Sequence, residues 1–441
     1  MEAFKVTGGT PLNGSVRIGG AKNASYKLMI AALLGNSESR ILNFSHISDV
    51  DKVTEIISYL GGIVHQVGER ALVIDPRPLK NYVLNPADGA QGRFSPMFIP
   101  ALLAKFGHAE VPNPGGDKIG KRPLDRHFEG LAALGARVWQ EGDVIRAETD
   151  GLTGATYRFS KNTHTGTETL LMAAVLAKGK TILENAAEEP EVDDLIAFLN
   201  AMGAKIRRRL NKVIEIEGVS QLGGAIHKIM PDRNEAVSYA CAALVTKGDV
   251  IIENAVPEHL TAFLEKLEDM QAGYEVGSYG IRFYYKGPLL ATDVTTTIAP
   301  GFMTDWQPLF ATVLTQAQGV STLHETIMQN RFQYVDSLVA MGAQIEKYNP
   351  TVTHPEIVYN FNMEDDKPDY FHALKITGAT QLKATECTVH DLRHGATLIL
   401  AALCAQGSSL IRGIEQVERG YESLAERLSS MGAQIERVQL P

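Results

Sequence analysis

A period of about seventy residues runs through this chain and restricts its fold more than any other feature. Alanine- and leucine-rich stretches end near Gly35, Gly107, Gly179, Gly248, Gly319 and Gly407, with gaps of 72, 72, 69, 71 and 88 residues. A second signature places a glycine between small or apolar residues just before a strand-like run. It reads Leu60-Gly61-Gly62, Leu134-Gly135-Ala136, Met202-Gly203-Ala204, Met341-Gly342-Ala343 and Met431-Gly432-Ala433, with a degenerate copy at Ala272-Gly273-Tyr274. A fixed period of this length means one supersecondary unit repeated. Glycine after an apolar helix is a natural stop, because it can take the left-handed conformation. The runs that follow, such as T-I-L-E-N-A and V-I-I-E-N-A, are short, β-branched and alternating, as strands are. The expected fold class is therefore α/β, with six repeated α/β units, three per domain, helices inside and sheets outside.

The 88-residue final gap holds extra chain near 348–375, rich in turn residues (Asn349-Pro350, His354-Pro355, Asp365-Asp366, Lys367-Pro368). This insertion reads as an extended surface loop, with a hairpin suggested by I-V-Y-N-F-N. At 441 residues the chain exceeds one ordinary core, so two domains are expected. No run reaches the roughly 18 apolar residues of a membrane span, and the start lacks a basic-then-apolar leader pattern. Three cysteines without a C-x-x-C pair suit a reducing compartment, and a cytoplasmic location is expected. The net charge of −9 argues against nucleic-acid or anionic-membrane partners.

Four places interrupt the repeats with charge beside glycine. Gly19-Gly20-Ala21-Lys22 leads into an apolar helix, which makes it either an anion site or a helix-start turn with a solvated lysine. Pro114 to Pro123 is a glycine-loosened loop carrying Asp117, Lys118, Lys121 and Arg122, which makes it either a solvated loop or a lid that brings Asp117 and Arg122 over an anion. Thr304-Asp305-Trp306 precedes another apolar helix, so Asp305 is either a cap or a carboxylate base. Arg331, Arg393 and Arg419 lie beside loops of successive units, where they could converge on one anion.

In this order the motifs resemble the enolpyruvyl transferase family. The residues that carry the resemblance are G-G-A-K-N-A at 19–24, D-V-D at 49–51, P-G-G-x-x-I-G-x-R-P at 114–123 and E-N-A-A-x-E-P-E at 184–191. P-D-R-x-E at 231–235, F-x-T-D at 302–305, N-R-F at 330–332, D-L-R at 391–393 and R-G-Y-E at 419–422 complete the set. It spans nearly the whole chain apart from the insertion. The resemblance implies a two-domain inside-out α/β barrel, with 22–230 as one domain and 1–21 plus 231–441 as the other. It implies transfer of enolpyruvate from phosphoenolpyruvate to the 3′-hydroxyl of UDP-N-acetylglucosamine, the first committed step of peptidoglycan synthesis, with phosphate released and no metal or organic cofactor.

Carried over by position, Lys22, Arg122 and Arg419 would hold phosphoenolpyruvate, with Arg393 beside it or beside the sugar nucleotide. Asp305 would take the hydroxyl proton and Asp117 would protonate the methylene carbon. Asn23 and Thr304 would contact the sugar, and Arg93 would report on domain closure. Pro123, Leu124, Asp125, Arg126 and His127 would line the uridine, and Thr163, His164, Thr165 and Gly166 the diphosphate. Glu191, Asp232, Ile327 and Arg331 would line the cleft.

The chain departs from the family pattern in three places. Asp117 stands where the lid usually has cysteine, the residue that fosfomycin alkylates, so insensitivity to that epoxide is expected. Ser25-Tyr26-Lys27 follows the lysine–asparagine pair, and Thr163-His164-Thr165-Gly166-Thr167-Glu168 replaces a short S-x-G-A-T run, changing the local charge. Two alternatives stand beside the main reading. One is the sister activity on shikimate 3-phosphate, and the other is a non-catalytic paralogue that binds a nucleotide sugar.

Overall fold

Six helices rich in apolar residues build the cores of the structure, a computed structural model that describes residues 2–89, 92–116 and 119–440. They are α1 (Lys22–Ala31), α2 (Ile99–Phe106), α3 (His164–Ala174), α4 (Arg233–Val245), α5 (Gln307–Gln316) and α6 (Leu392–Cys404). Every residue of α4 is buried, and so is every residue of α6 except its last. A helix that is apolar around its circumference has no solvent face and belongs in a core. Cys241 on α4 and Cys404 at the end of α6 are free thiols, and burial raises the pKa of both.

The protein is mixed α/β and divides into two units. One comprises Met1–Gly19, Asp117–Lys121 and Pro231–Pro441, the other Gly20–Gly116 and Arg122–Met230. Each unit has its own core, one built on α1, α2 and α3, the other on α4, α5 and α6. Among the described residues there are five four-stranded sheets and one of three strands, none closed on itself. The five share one pattern. The strand that follows the central helix pairs in parallel on one side and antiparallel on the other. Strand Glu2–Thr7 completes the last sheet, between Ser408–Arg412 and Gln434–Gln439. Strand residues alternate between buried and more accessible positions, as in Lys180–Glu184 and Asp249–Glu253.

The glycine signatures resolve into two mechanisms. Gly107 is left-handed at φ 73° and caps α2, as a helix stop should be. Gly248 is not left-handed. A β-carbon there would lie 2.2 Å from the Leu12 carbonyl oxygen, and Lys247 takes the positive φ instead. The second signature is a helix C-terminal motif, which the Gly248 amide after left-handed Lys247 also forms with the Ala243 carbonyl. The amide after the left-handed residue donates to the carbonyl five residues back in Gly62→Ile57, Ala136→Leu131, Ala204→Leu199, Ala272→Leu267, Ala343→Leu338 and Ala433→Leu428. This corrects the degenerate copy, which is Met270-Gln271-Ala272, with Gln271 at φ 57° where the others have glycine.

The insertion also differs from expectation. I-V-Y-N-F-N forms no hairpin: Pro355–Val358 is a short helix and Met363–Asp365 a 3₁₀ turn. Tyr359 and Phe361 turn inward and stack at 4.9 Å, with the His372 ring 5.0 and 5.2 Å away. Aromatic packing, not cross-strand pairing, holds this segment.

Candidate functional site

In the unit built on α1 to α3, the turn before α1 is tight because a β-carbon on Gly20 would lie 1.9 Å from the Asn43 carbonyl oxygen. The turn delivers Lys22 and Asn23 to the first turn of α1. Lys22 is buried, not solvated. Its amino group pairs with Asp49 in the first turn of helix Ser48–Tyr59 and stands 5.6 Å from the Tyr26 ring centre. Burial raises Tyr26 to about 12, so its hydroxyl keeps its proton.

Arg93 donates from Nη2 to the Arg122 carbonyl at 3.1 Å. Burial, and next the neighbouring Arg122 charge, lower Arg93 to about 9, which leaves it a cation at neutral pH. Pro123 and Leu124 lead into helix Asp125–Ala133, which Asp125 opens with its carboxylate accepting the Arg126 amide at 2.9 Å. His127 Nε2 lies 3.1 Å from Thr165 Oγ1, so the expected uridine and diphosphate stretches meet there. Burial, and next Arg93, lower His127 to about 3, and its imidazole is neutral. Thr163 caps α3, its Oγ1 accepting the Gly166 amide at 3.2 Å. Glu191 is buried in the first turn of helix Pro190–Ala201.

The two departures at 25–27 and 163–168 are one structural feature. Lys27 Nζ lies 2.6 Å from Glu168 Oε2 and 3.1 Å from His164 Nε2, and His164 Nε2 lies 3.1 Å from Glu168 Oε1. Lys27 and Glu168 are 1% and 0% exposed. The expected change of local charge is therefore cancelled internally. Burial, the largest influence, and Lys27 work against a charged His164, but the charge and hydrogen bond of Glu168 together with Glu189 leave its pKa raised.

In the unit built on α4 to α6, the turn at Thr304 and Asp305 is not a helix cap. Trp306 holds the N-cap position of α5 without a side-chain cap. Thr304 Oγ1 donates to Glu325 Oε2 at 3.0 Å. Asp305 faces two buried guanidiniums: Oδ2 accepts from Arg393 Nε and Nη2 at 3.2 and 3.0 Å, and Oδ1 from Arg331 Nη2 at 3.3 Å. Arg393 Nη1 donates to the Tyr421 hydroxyl at 2.8 Å, which lies 2.7 Å from Ser238 Oγ. Asp391 and Asp232 cap α6 and α4 through their carboxylates. Arg331 Nη1 stands 3.8 Å from Asp391. Arg419 ends the short helix Glu415–Glu418, two residues before Tyr421.

Glu325 and Tyr421 were missed as site supports. Glu325 is fully buried, accepts the Ile327 and Met328 amides at 2.8 and 2.9 Å, and holds Thr304; burial raises its pKa. Its signal was an acid placed directly after the strand G-V-S-T-L-H. Tyr421 lay inside the quoted R-G-Y-E. Asp117 and Lys118 lie outside the described residues. Among the described residues no cluster of three or more His, Cys, Asp or Glu could hold a metal, and no helix is long and apolar enough to cross a membrane. The arrangement offers a carboxylate gripped by arginines in one unit, and a buried Lys22 with the half-buried Arg93 and Arg122 in the other. Both suit the handling of anions and of a hydroxyl proton.

The model of the EPSP synthase (3-phosphoshikimate 1-carboxyvinyltransferase) family matches residues 6–428. The chain is 39% identical over 438 residues to a UDP-N-acetylglucosamine 1-carboxyvinyltransferase of Halothermothrix orenii, covering 99% of this chain and 100% of that one. It is 38% identical over 442 residues to the protein of the same name in Acidobacterium capsulatum, covering 99% and 96% of the two chains. Among solved structures, the enolpyruvyl transferase NikO from Streptomyces tendae matches with a TM-score of 0.85 and 21% identity, over 100% of this chain and 99% of that one. At that identity the likeness speaks for the fold alone.

Proposed function

The chain belongs to the EPSP synthase family of enolpyruvyl transferases, and from that premise we propose that it transfers enolpyruvate from phosphoenolpyruvate to the 3′-hydroxyl of UDP-N-acetylglucosamine, releasing phosphate. The observation that carries this reading is the identity of 39% over 438 residues to a relative named for that reaction. The grip of Arg331 and Arg393 on Asp305 supports it from the side of chemistry.

In this reading the acceptor oxygen bonds to C2 of phosphoenolpyruvate while Asp305 takes the hydroxyl proton. Arg331 and Arg393 aim the carboxylate. Asp117 gives a proton to the methylene carbon. Breaking the C2–phosphate bond and removing a methyl proton then yields the enol ether and free phosphate. Lys22, Arg122 and Arg419 hold the donor's anionic groups, so orientation and charge stabilisation are prepared before the chemistry. Asn23 and Thr304 contact the sugar, Ile327 lines the cleft, Pro123 to His127 the uridine, and Thr163 to Gly166 the diphosphate. Glu191 and Asp232 complete the lining, and Arg93 senses the bound state.

The same reading assigns the fold as six α/β units, three per domain (22–230, and 1–21 with 231–441), with helices inside and sheets outside. It places the enzyme in the cytoplasm, at the start of peptidoglycan synthesis. With Asp117 in place of the lid cysteine, fosfomycin leaves the protein unlabelled, whereas Asp117→Cys gains time-dependent inactivation. The decisive assay is phosphate release from phosphoenolpyruvate with UDP-N-acetylglucosamine and, separately, with shikimate 3-phosphate. Turnover with the first alone is expected. Turnover with the second alone assigns the sister activity, and turnover with neither assigns a binding paralogue.

A further inference from the structure

The insertion has no part in the reaction as described so far, yet it carries one buried carboxylate with a single partner. Asp365 closes the 3₁₀ turn Met363–Asp365, and its side chain is 4% exposed. A buried carboxylate needs a partner to offset its lost hydration. Among the described residues that partner is Lys121, whose Nζ lies 2.6 Å from Asp365 Oδ1. Lys121 occupies a position that the motif P-G-G-x-x-I-G-x-R-P leaves open, immediately before Arg122.

The surroundings of the pair are fixed from the insertion's side. The Tyr359, Phe361 and His372 rings pack together, and His372 Nε2 lies 3.0 Å from Asp366 Oδ2. The Asn360 amide donates to the Thr326 carbonyl at 2.7 Å, which ties the insertion to the loop after strand Gly319–His324. From that loop, Gln329 Nε2 donates to the Lys121 carbonyl at 2.9 Å. Gly120 has φ +112°, and a β-carbon there would lie 2.8 Å from the Gln329 side chain, so the backbone fits closely against it. Lys121 is therefore held at its backbone by Gln329 and at its amino group by Asp365.

We propose that Asp365 of the insertion is a positioning residue for enolpyruvyl transfer: by holding Lys121 it fixes the backbone that presents Arg122 to phosphoenolpyruvate. This rests on the reaction proposed above. The role is one of aim, because Asp365 touches no reacting atom. A displacement of about 1 Å at a binding group is enough to lower rates by about 100-fold.

The test is steady-state kinetics on the full chain, with KM measured for each substrate, alongside thermal unfolding. Asp365→Asn keeps the shape and removes the charge, and it should raise KM for phosphoenolpyruvate about ten-fold or more, with KM for UDP-N-acetylglucosamine within about two-fold. Lys121→Met should match it, the double variant should be no worse than the poorer single one, and Lys121→Arg, which keeps the pair, should stay near wild type. An unchanged KM for phosphoenolpyruvate in Asp365→Asn, with or without a fall in Tm, overturns the proposal. So does a Lys121→Met variant that behaves as wild type. Failure of the underlying reading looks different, since the unaltered protein would then release no phosphate with UDP-N-acetylglucosamine.

Discussion

Two ion clusters, one in each unit, each set a carboxylate against basic side chains, and they differ in access. Around Asp305, two arginines that are almost fully buried hold a carboxylate that remains 26% exposed. Around Glu168, lysine and carboxylate are both sealed. A sealed pair cannot exchange a proton with a ligand, whereas a carboxylate held from behind and open in front can. The comparison teaches that burial of the acid, more than the number of cations around it, separates scaffolding from chemistry.

The largest expected effect breaks the sealed cluster. Glu168→Gln strands the Lys27 charge in the core and should cost about 3–5 kcal/mol of stability in urea unfolding. Replacing both residues, Lys27→Met with Glu168→Met, should recover most of that loss. A single variant as stable as wild type would show that the pair is solvated and the contrast with Asp305 unfounded. The open cluster should respond in rate. Asp305→Asn should lower kcat by roughly 100-fold or more. It also frees two guanidiniums from their partner, so some loss of Tm is expected, and circular dichroism must show a folded protein for the rate to be read. Near-native turnover would remove Asp305 from the role of base.

Access could not be read from the sequence, and that explains which features were legible. The repeat was legible because helices along the chain end with the same local motif, M-G-A or a close copy. The sixth copy was misplaced by two residues because Gln271 fills the left-handed position where glycine was the guide. Lys27 and Glu168 were visible only as separate departures, since 141 positions divide them in the chain and one contact joins them in space. Asp305 was balanced between cap and base; Trp306 takes the N-cap position, and the Asp305 carboxylate faces two arginines instead. In the insertion, I-V-Y-N-F-N suggested a hairpin, but Tyr359 and Phe361 stack on each other and pack against His372 instead.

A smaller effect sharpens the comparison through support instead of charge. Glu325 holds Thr304 in the turn that also carries Asp305, so Glu325→Ala should lower kcat about ten-fold, while Glu325→Gln, which can still accept the Thr304 hydroxyl, should lose less. Equal rates in both variants and wild type would sever Glu325 from the site. The smallest effect is a pH slope. His127 has a pKa of about 3 when folded, below its ordinary value of 6.5, because it is buried and faces Arg93. The unfolded chain therefore binds the extra proton first, and the stability from neutral His127 is present above pH 6.5 and lost as pH falls toward 3, at up to about 1.4 kcal/mol per pH unit. His127→Gln should flatten that slope in urea unfolding at pH 7 and pH 5, and an unchanged slope would place the titration elsewhere.

The account's central claim concerns which bond is made. Phosphoenolpyruvate and UDP-N-acetylglucosamine incubated with the protein should give one phosphate for each acceptor consumed. Nuclear magnetic resonance of the product should show a vinyl ether on the 3′ oxygen of the sugar. Recovery of unaltered UDP-N-acetylglucosamine, with no phosphate released or with pyruvate formed in its place, would contradict the claim.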